Sequence, residues 1–477
     1  MPGNLRRPLI LALACALVAF SMPVPASVAQ IFPDQGTPTA PMVARRFVVY
    51  IHSAFAQDDR AVQRVVARTG ELVGVGLQGE RRISTGGHVV RVDEGQSVDE
   101  ALSRRIASVL AEQPGVESVE PDTGFVIGPA AVGDVITTRE DMWPRQWNMF
   151  EPTGGINVIA AWEIAKGEGV VVAMLDSGIT RHSDLDEQNV SGYDFITNAR
   201  RARDGDGIDP NPNDEGSWAD YPEFSPSFWH GTHTSGIVAA RNDRNGTIGV
   251  APEAKLSHIR LGGAGGIVSM IDVVDAIVWA AGGPVDGVPA NGFPAHVLNM
   301  SIGAGGECGT SMQKAVDIAL ARGAVLVASA GNWNGDANDY RPANCKGVIA
   351  VAATNREGGK ASYSNFGPTI TIAAPGGEGT SFDGILSTFN AGLTVAEGEA
   401  YGSYSGTSMA APHVAGVVAL MLSAHPRLTP TQVKQALTSS ARALPVPCPE
   451  GCGAGIVDAR AALDAASRMA EPLSVDR

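Results

Sequence analysis

Three short segments of this 477-residue chain carry side chains suited to nucleophilic chemistry. In Val170-Val-Val-Ala-Met-Leu-Asp176-Ser-Gly178 an apolar run ends in a carboxylate and then a turn. Open α/β sheets place ligands at the C-terminal ends of their strands, although an Asp alone at such a place more often serves the turn. In His230-Gly-Thr-His233-Thr-Ser-Gly236 two imidazoles stand three residues apart. No acidic or third His ligand follows at metalloprotease spacing, so metal is the minor reading there. A His among small residues at a helix start leaves room for a substrate. General-base work needs that access, together with a carboxylate that fixes the tautomer. The third segment is Gly406-Thr-Ser408-Met-Ala-Ala-Pro412-His-Val-Ala-Gly416. A Ser at a helix N-terminus meets oriented amides and a positive dipole. A plain N-cap would also explain Ser408, but Gly406, Ala410 and Ala411 imply closer backbone crowding than a cap needs. Pro412 is expected only within a first helical turn.

The elements that must position these residues follow from periodicity. Apolar runs at 170–175, 256–261, 297–300, 325–328 and 348–351 lack polar alternation, the pattern of parallel strands buried on both faces. Helical patterns lie between them at 269–281, 311–321 and 409–424, with a last helix at 458–467. The fold class is therefore α/β, a mostly parallel sheet with helices on both faces. An earlier unit precedes it. Strands are expected at 47–51, 72–77, 89–92 and 116–119, and helices at 58–69 and 98–112. That β-α-β-β-α-β order suits a small ferredoxin-like α+β domain. Residues 128–140 read as an exposed joint between the two units.

Composition narrows the setting. The net charge of −15, from 35 basic and 50 acidic residues, provides no basic face for a nucleic acid. Residues 1–29 read as a secretory signal: Arg6 and Arg7 precede a 12-residue apolar run, and Ser27-Val28-Ala29 offers small residues for cleavage. Cleavage after Ala26 is the near alternative, and lipidation at Cys15 a minor one. Residues 30–44 form a Pro- and Thr-rich linker. No later uninterrupted run of about 18 apolar residues occurs, so no membrane span is expected in the mature chain. Beyond the signal remain Cys308, Cys345, Cys448 and Cys452. An even count in an exported chain favours disulfides over zinc. Proximity pairs Cys448 with Cys452, leaving Cys308 for Cys345. The loop 204–215 holds five acids, Asp204, Asp206, Asp209, Asp214 and Glu215, among Gly and Pro. Oxygen donors on a bent loop suit Ca²⁺, although the EF-hand spacing is absent.

Asp176, His230 and Ser408 in that chain order resemble the signatures of the subtilisin-like serine proteases, or subtilases, over about 150–467. The resemblance implies a doubly wound subtilisin-like fold over 141–467 with a tail at 468–477. It implies a secreted serine endopeptidase, extracellular or periplasmic, acting through an acyl-enzyme on protein or peptide substrates. Ser408 would be nucleophile, His230 rather than His233 the base, and Asp176 its orienting acid. Asn332, in Ala328-Ser-Ala-Gly-Asn332, would complete the oxyanion site. Ser301, Ile302 and Gly303 would pair with substrate on one edge of the cleft, with Gly263 and Gly265 on the other. Tyr340 and Arg341 would lie near the base of the first specificity pocket. A structural Ca²⁺ on Asp204, Asp206, Asp209 and Asp214 fits secreted relatives. Residues 45–127 resemble the inhibitor-type propeptide, through 47–50 and Pro114-Gly-Val-Glu-Ser-Val-Glu-Pro121. The chain would then be a monomeric zymogen, blocked by its own propeptide and cut in the joint, somewhere in 124–140. Two rivals stand beside this: a non-catalytic peptide-binding relative, and an esterase or amidase. The second lacks the G-x-S-x-G elbow of α/β-hydrolases.

Overall fold

A computed structural model describes residues 43–52, 59–220, 224–243, 245–379 and 382–470. The signal, nearly all of the linker and most of the tail lie outside the described residues. The first unit comprises β1 (Arg46–Ile51), α1 (Asp59–Val73), β2 (Leu77–Arg82), β3 (His88–Val92), α2 (Glu100–Ala111) and β4 (Val116–Pro121). Its antiparallel sheet runs β2-β3-β1-β4. Residues 72–77, expected as a strand, instead split. Leu72 and Val73 end α1, a turn follows, and Leu77 opens β2. The two-residue alternation of β1 decides the packing. Phe47, Val49 and Ile51 join Val62, Val66, Ile106 and Leu110 in the unit's own core. Val48 and Tyr50 point the other way and join the core of the second unit.

The chain continues through β5 (Gly124–Val126) and β6 (Ala131–Ile136). Residues 128–140, read as an exposed joint, are exposed over most of 134–140 and also hold this second strand. Their core is a strand on the edge of a small sheet, because it can pair with an open partner strand.

The second unit comprises β7 (Val171–Asp176), β8 (Asn189–Asp194), α3 (His230–Ala239), β9 (Lys255–Arg260), β10 (Ile267–Ser269), α4 (Met270–Ala280), β11 (Val297–Met300), α5 (Thr310–Ala321), β12 (Val325–Ser329), β13 (Ile349–Thr354), β14 (Ile372–Pro375), β15 (Ile385–Asn390), β16 (Glu399–Ser405), α6 (Thr407–Ala424), α7 (Pro430–Ser440) and α8 (Ala459–Ala470). Seven parallel strands form the sheet β14-β13-β12-β11-β7-β9-β8. Val172 and Met174 face one core with α6 and α8, and Ala173 and Leu175 face the other with α4 and α5. This double burial is what the apolar run encoded. Strands β15, β16 and β6 make an antiparallel sheet beside it. Among the described residues α6 is long and apolar enough to cross a membrane, but it is buried in the core.

The first unit's sheet lies on α4 and α5, and its acids cap them. Glu120 accepts from the Thr310 and Ser311 amides at the start of α5. Asp122 accepts from Ser269 Oγ at 3.0 Å and from the Ile271 amide at 3.4 Å, at the start of α4. Carboxylates at helix N-termini satisfy orphan amides and meet the positive end of the dipole. The expected disulfides, Cys308–Cys345 and Cys448–Cys452, are both present.

Candidate active site

Asp176 closes β7, where the strand's last side chain must leave the sheet at its C-terminal edge. Its Oδ1 accepts from the Ser177 amide at 2.7 Å and from His230 Nδ1 at 2.8 Å. Its Oδ2 accepts from Thr234 Oγ1 at 3.0 Å, one turn along α3. The carboxylate accepts, so Nδ1 carries the hydrogen and Nε2 presents a lone pair. Both side chains are buried. Among the described residues His230 Nε2 has no hydrogen-bond partner.

Two glycines permit this approach. Gly178 has φ +102°, a conformation other residues rarely adopt, and a Cβ on Gly231 would lie 2.1 Å from the Gly178 oxygen. The head of α3 can therefore press onto the turn after β7. Ser177 Oγ braces the contact. It accepts from the Gly231 amide at 2.9 Å and donates to Asp214 Oδ2 at 2.7 Å.

Ser408 is the second residue of α6. Its Oγ donates to the Ser301 carbonyl at 3.3 Å, so in this rotamer it does not engage His230. Pro412 is the sixth residue of α6, deeper than the expected first turn. Lacking an N–H, it leaves the Ser408 carbonyl without its helical donor. Ser301 Oγ donates to that carbonyl instead, at 2.8 Å. The proline thus ties the head of α6 to residues 301–303.

Asn332 follows β12. Its Oδ1 accepts from the Thr407 amide at 2.9 Å and from Thr407 Oγ1 at 2.8 Å. With the oxygen committed to two donors, the amide nitrogen is the end turned toward the cleft. Sequence reasoning missed Thr407 and Thr234. Their signal was only a hydroxyl beside Ser408 and another one turn after His230.

The second imidazole of the His pair has a structural place. His233 Nε2 donates to the Ile385 and Gly402 carbonyls at 3.1 and 3.0 Å, and its ring stacks on Tyr404. Burial, foremost, pushes it down to about 3, so it stays neutral.

The chain itself runs through the cleft as an extended strand. Val126 pairs antiparallel with Gly303, its amide donating to the Gly303 carbonyl at 3.0 Å. The Ile127 amide donates to the Gly266 carbonyl at 3.0 Å, and β5 pairs with β10. Beyond Gly128 and Pro129, the Ala130 amide donates to the Ser405 carbonyl at 2.7 Å. Ser301, Ile302 and Gly303 line the cleft beside Ser408. Gly263 and Gly265 do not line its other edge. A Cβ on Gly263 would strike the Arg201 carbonyl, and the Gly265 amide turns to the Ser217 carbonyl. The glycines that admit the strand are Gly262 and Gly266, where a Cβ would come within 2.5 Å of Ile127 Cδ1 and 2.7 Å of its oxygen.

The acidic loop forms a different cluster from the expected one. Carboxylate oxygens of Asp194, Asp204 and Asp209 lie within 4.8 Å of one another. Asp214 is diverted to Ser177, and Asp206 is exposed outside the cluster. Buried Arg260 reaches Asp194 at 2.6 Å and Asp204 at 2.7 Å. Burial first, and also the charge of Asp204, push the Asp194 carboxyl up to about 8 against the pull of Arg260. The three carboxylates offer hard oxygen donors of the kind Ca²⁺ takes.

The model of the subtilase family matches residues 167–460. This chain is a subtilase. The extracellular protease of Xanthomonas campestris pv. campestris is 44% identical over 472 residues, 95% of this chain and 78% of its own. The extracellular basic protease of Dichelobacter nodosus is 38% identical over 423 residues, 85% of this chain and 67% of its own. Among solved structures, a protease of Pseudoalteromonas arctica superposes with a TM-score of 0.67 at 45% identity, over 69% of this chain and 99% of that one. The subtilase is a serine endopeptidase, and its seven-stranded parallel sheet belongs to the α/β class.

Proposed function

We propose that this subtilase cuts peptide bonds with Ser408, His230 and Asp176, and that it is secreted as a self-processing zymogen. The observation that carries the reading is the buried 2.8 Å bond from His230 to Asp176, which leaves Nε2 as an unshared base. A turn of the Ser408 hydroxyl away from Ser301 offers its proton to Nε2. Ser408 Oγ then attacks the carbonyl carbon, and the electron pair moves to the oxygen. Asn332 Nδ2 and the Ser408 amide donate to that oxyanion. Collapse expels the amine, which takes the proton from His230, and water releases the acyl group by the same steps. Asp176 holds the His230 ring through Nδ1 while Nε2 gains and then loses the proton. Relatives named extracellular proteases support export.

The segment 124–130 supports the zymogen reading, because it fills the cleft as a substrate would. Ile127 is held by Gly266 and Ala130 by Ser405, and Gly128 lines the pocket beside Ser408, which points to Gly128–Pro129 as the bond presented to Ser408. Its nitrogen is tertiary, and the ring carbon of Pro129 crowds the side from which His230 must protonate it. This register therefore inhibits, and the cut falls elsewhere within 124–140. N-terminal sequencing of the secreted protein tests this. Wild type should not begin at Pro129, and Pro129→Ala should add a product whose first residue is the introduced alanine. A wild-type N-terminus at Pro129 would defeat the proposed register. A precursor that never shortens would defeat self-processing.

Calcium belongs to the same proposal, as a structural ion held by Asp194, Asp204 and Asp209. An ion bound only by the folded state stabilises it by about 2.7 kcal/mol when present at about a hundred times its Kd. Chelation should lower the Tm of the mature enzyme by several degrees, and Asp204→Asn with Asp209→Asn should abolish that response. An unchanged Tm on chelation would exclude the site.

A further inference from the structure

The pocket beside Ser408 is nearly closed. It lies between residues 301–303, after β11, and residues 329–333, at the end of β12. The Tyr340 ring lies across both walls. A Cβ on Gly303 would come within 2.2 Å of its Cε1, and one on Gly331 within 2.9 Å. Trp333 packs on the same ring with centroids 4.5 Å apart, and Tyr340 is only 7% exposed. The ring is fixed from behind. Tyr340 pairs with Gly305 across a short antiparallel ladder, and the Cys308–Cys345 disulfide joins the two segments that carry them.

What remains, with Val126 and Gly128 of the threaded segment forming part of the lining, is about 20 Å³. That is room for about one water, whereas a benzene ring occupies a cavity of about 150 Å³. The threaded segment contributes Val126 and Gly128 to this lining, and Gly128 has no side chain to fill the space.

We propose that Tyr340 is a specificity-determining residue that closes the first pocket, so that the enzyme cuts after glycine, alanine or serine and rejects aromatic and long aliphatic residues. The proposal rests on the reading of Ser408 as nucleophile, since the pocket is defined by its place beside that residue. Its physical basis is steric. A larger side chain must displace a ring wedged between two glycines and a tryptophan, and close-packed interiors yield little.

The test uses the processed enzyme and tetrapeptide p-nitroanilides, Ala-Ala-Pro-Xaa, that differ only at Xaa. A single methylene is worth roughly 10–200-fold in discrimination. Wild type should therefore favour Ala over Phe at Xaa by about 100-fold or more in kcat/KM. Tyr340→Ala should raise the rate on Phe and erase that preference, while Tyr340→Phe, which keeps the ring, should retain it. Equal cutting after Phe and Ala by wild type would overturn the proposal without need of any variant. So would Tyr340→Ala that still cuts after Ala with the preference unchanged. Failure of the underlying reading looks different: neither wild type nor variant cuts any of the peptides, and the pocket proposal falls with it.

Discussion

Ser408→Ala should lower kcat on casein by roughly 10⁶-fold, the scale on which triad proteases lose activity when the nucleophile is removed. The structure predicts little cost in stability. Among the described residues the only hydrogen bond made by Ser408 Oγ is its long one to the Ser301 carbonyl, and a typical bond contributes about 0.5–1.5 kcal/mol. The variant keeps the Ser408 amide, the Ser301 bond to the 408 carbonyl and the Asp176–His230 pair. A folded, inert, unprocessed precursor is the expected product, and residual turnover about 10³–10⁴ above the uncatalysed rate is consistent with it. Casein hydrolysis beside a urea-unfolding curve separates lost chemistry from lost structure.

Asn332→Ala should lower kcat by about 10²–10³ with KM nearly unchanged. An oxyanion donor acts only as charge develops, so its loss falls on kcat and kcat/KM alike. Part of the effect is structural. The substitution also removes the acceptor for the Thr407 amide and hydroxyl at the head of α6. The loss of such a cap costs about 1 kcal/mol. Asn332→Asp separates the two, because it keeps the acceptor, removes the amide donor and brings a negative charge to the site. Its kcat should fall at least as far as that of Asn332→Ala, with less loss of stability. A raised KM at unchanged kcat in either variant would place Asn332 in ground-state binding instead.

What the sequence revealed about this site follows from burial. Strands β7, β9, β11, β12 and β13 are interior to the sheet and apolar on both faces, so their runs stand out, whereas the roles of Asp176 and Asn332 after such runs came from the family resemblance, since a turn residue fits either place. Within this seven-stranded sheet the two strands that sequence reasoning missed, β8 and β14, are its two edges. In Asn189–Asp194 most residues are only half-buried, which leaves a weak apolar signal, and Ile372–Pro375 is four residues ending in proline. Missing β8 also hid Asp194, its last residue, which replaces Asp206 and Asp214 in the acidic cluster. The glycine edge was read one residue out of step, because spacing cannot show which glycines face the cleft. Leu72 looked like a strand start because it is apolar, but it is an exposed residue in the last turn of α1. The braces Thr234, Thr407 and Ser177 were invisible for a different reason. A hydroxyl acquires a role only from the partner that the fold brings to it.

Everything proposed for this site depends on Ser408 being a nucleophile activated by His230. The most direct measurement is to react the mature enzyme with diisopropyl fluorophosphate and map the adduct by peptide mass spectrometry. Attack by Ser408 Oγ forms an O–P bond, expels fluoride and passes the proton to His230. One diisopropylphosphoryl group per molecule is expected, on Ser408, with activity lost in proportion and labelling suppressed in His230→Ala. Label on another residue, or full inactivation with Ser408 unmodified, would contradict it.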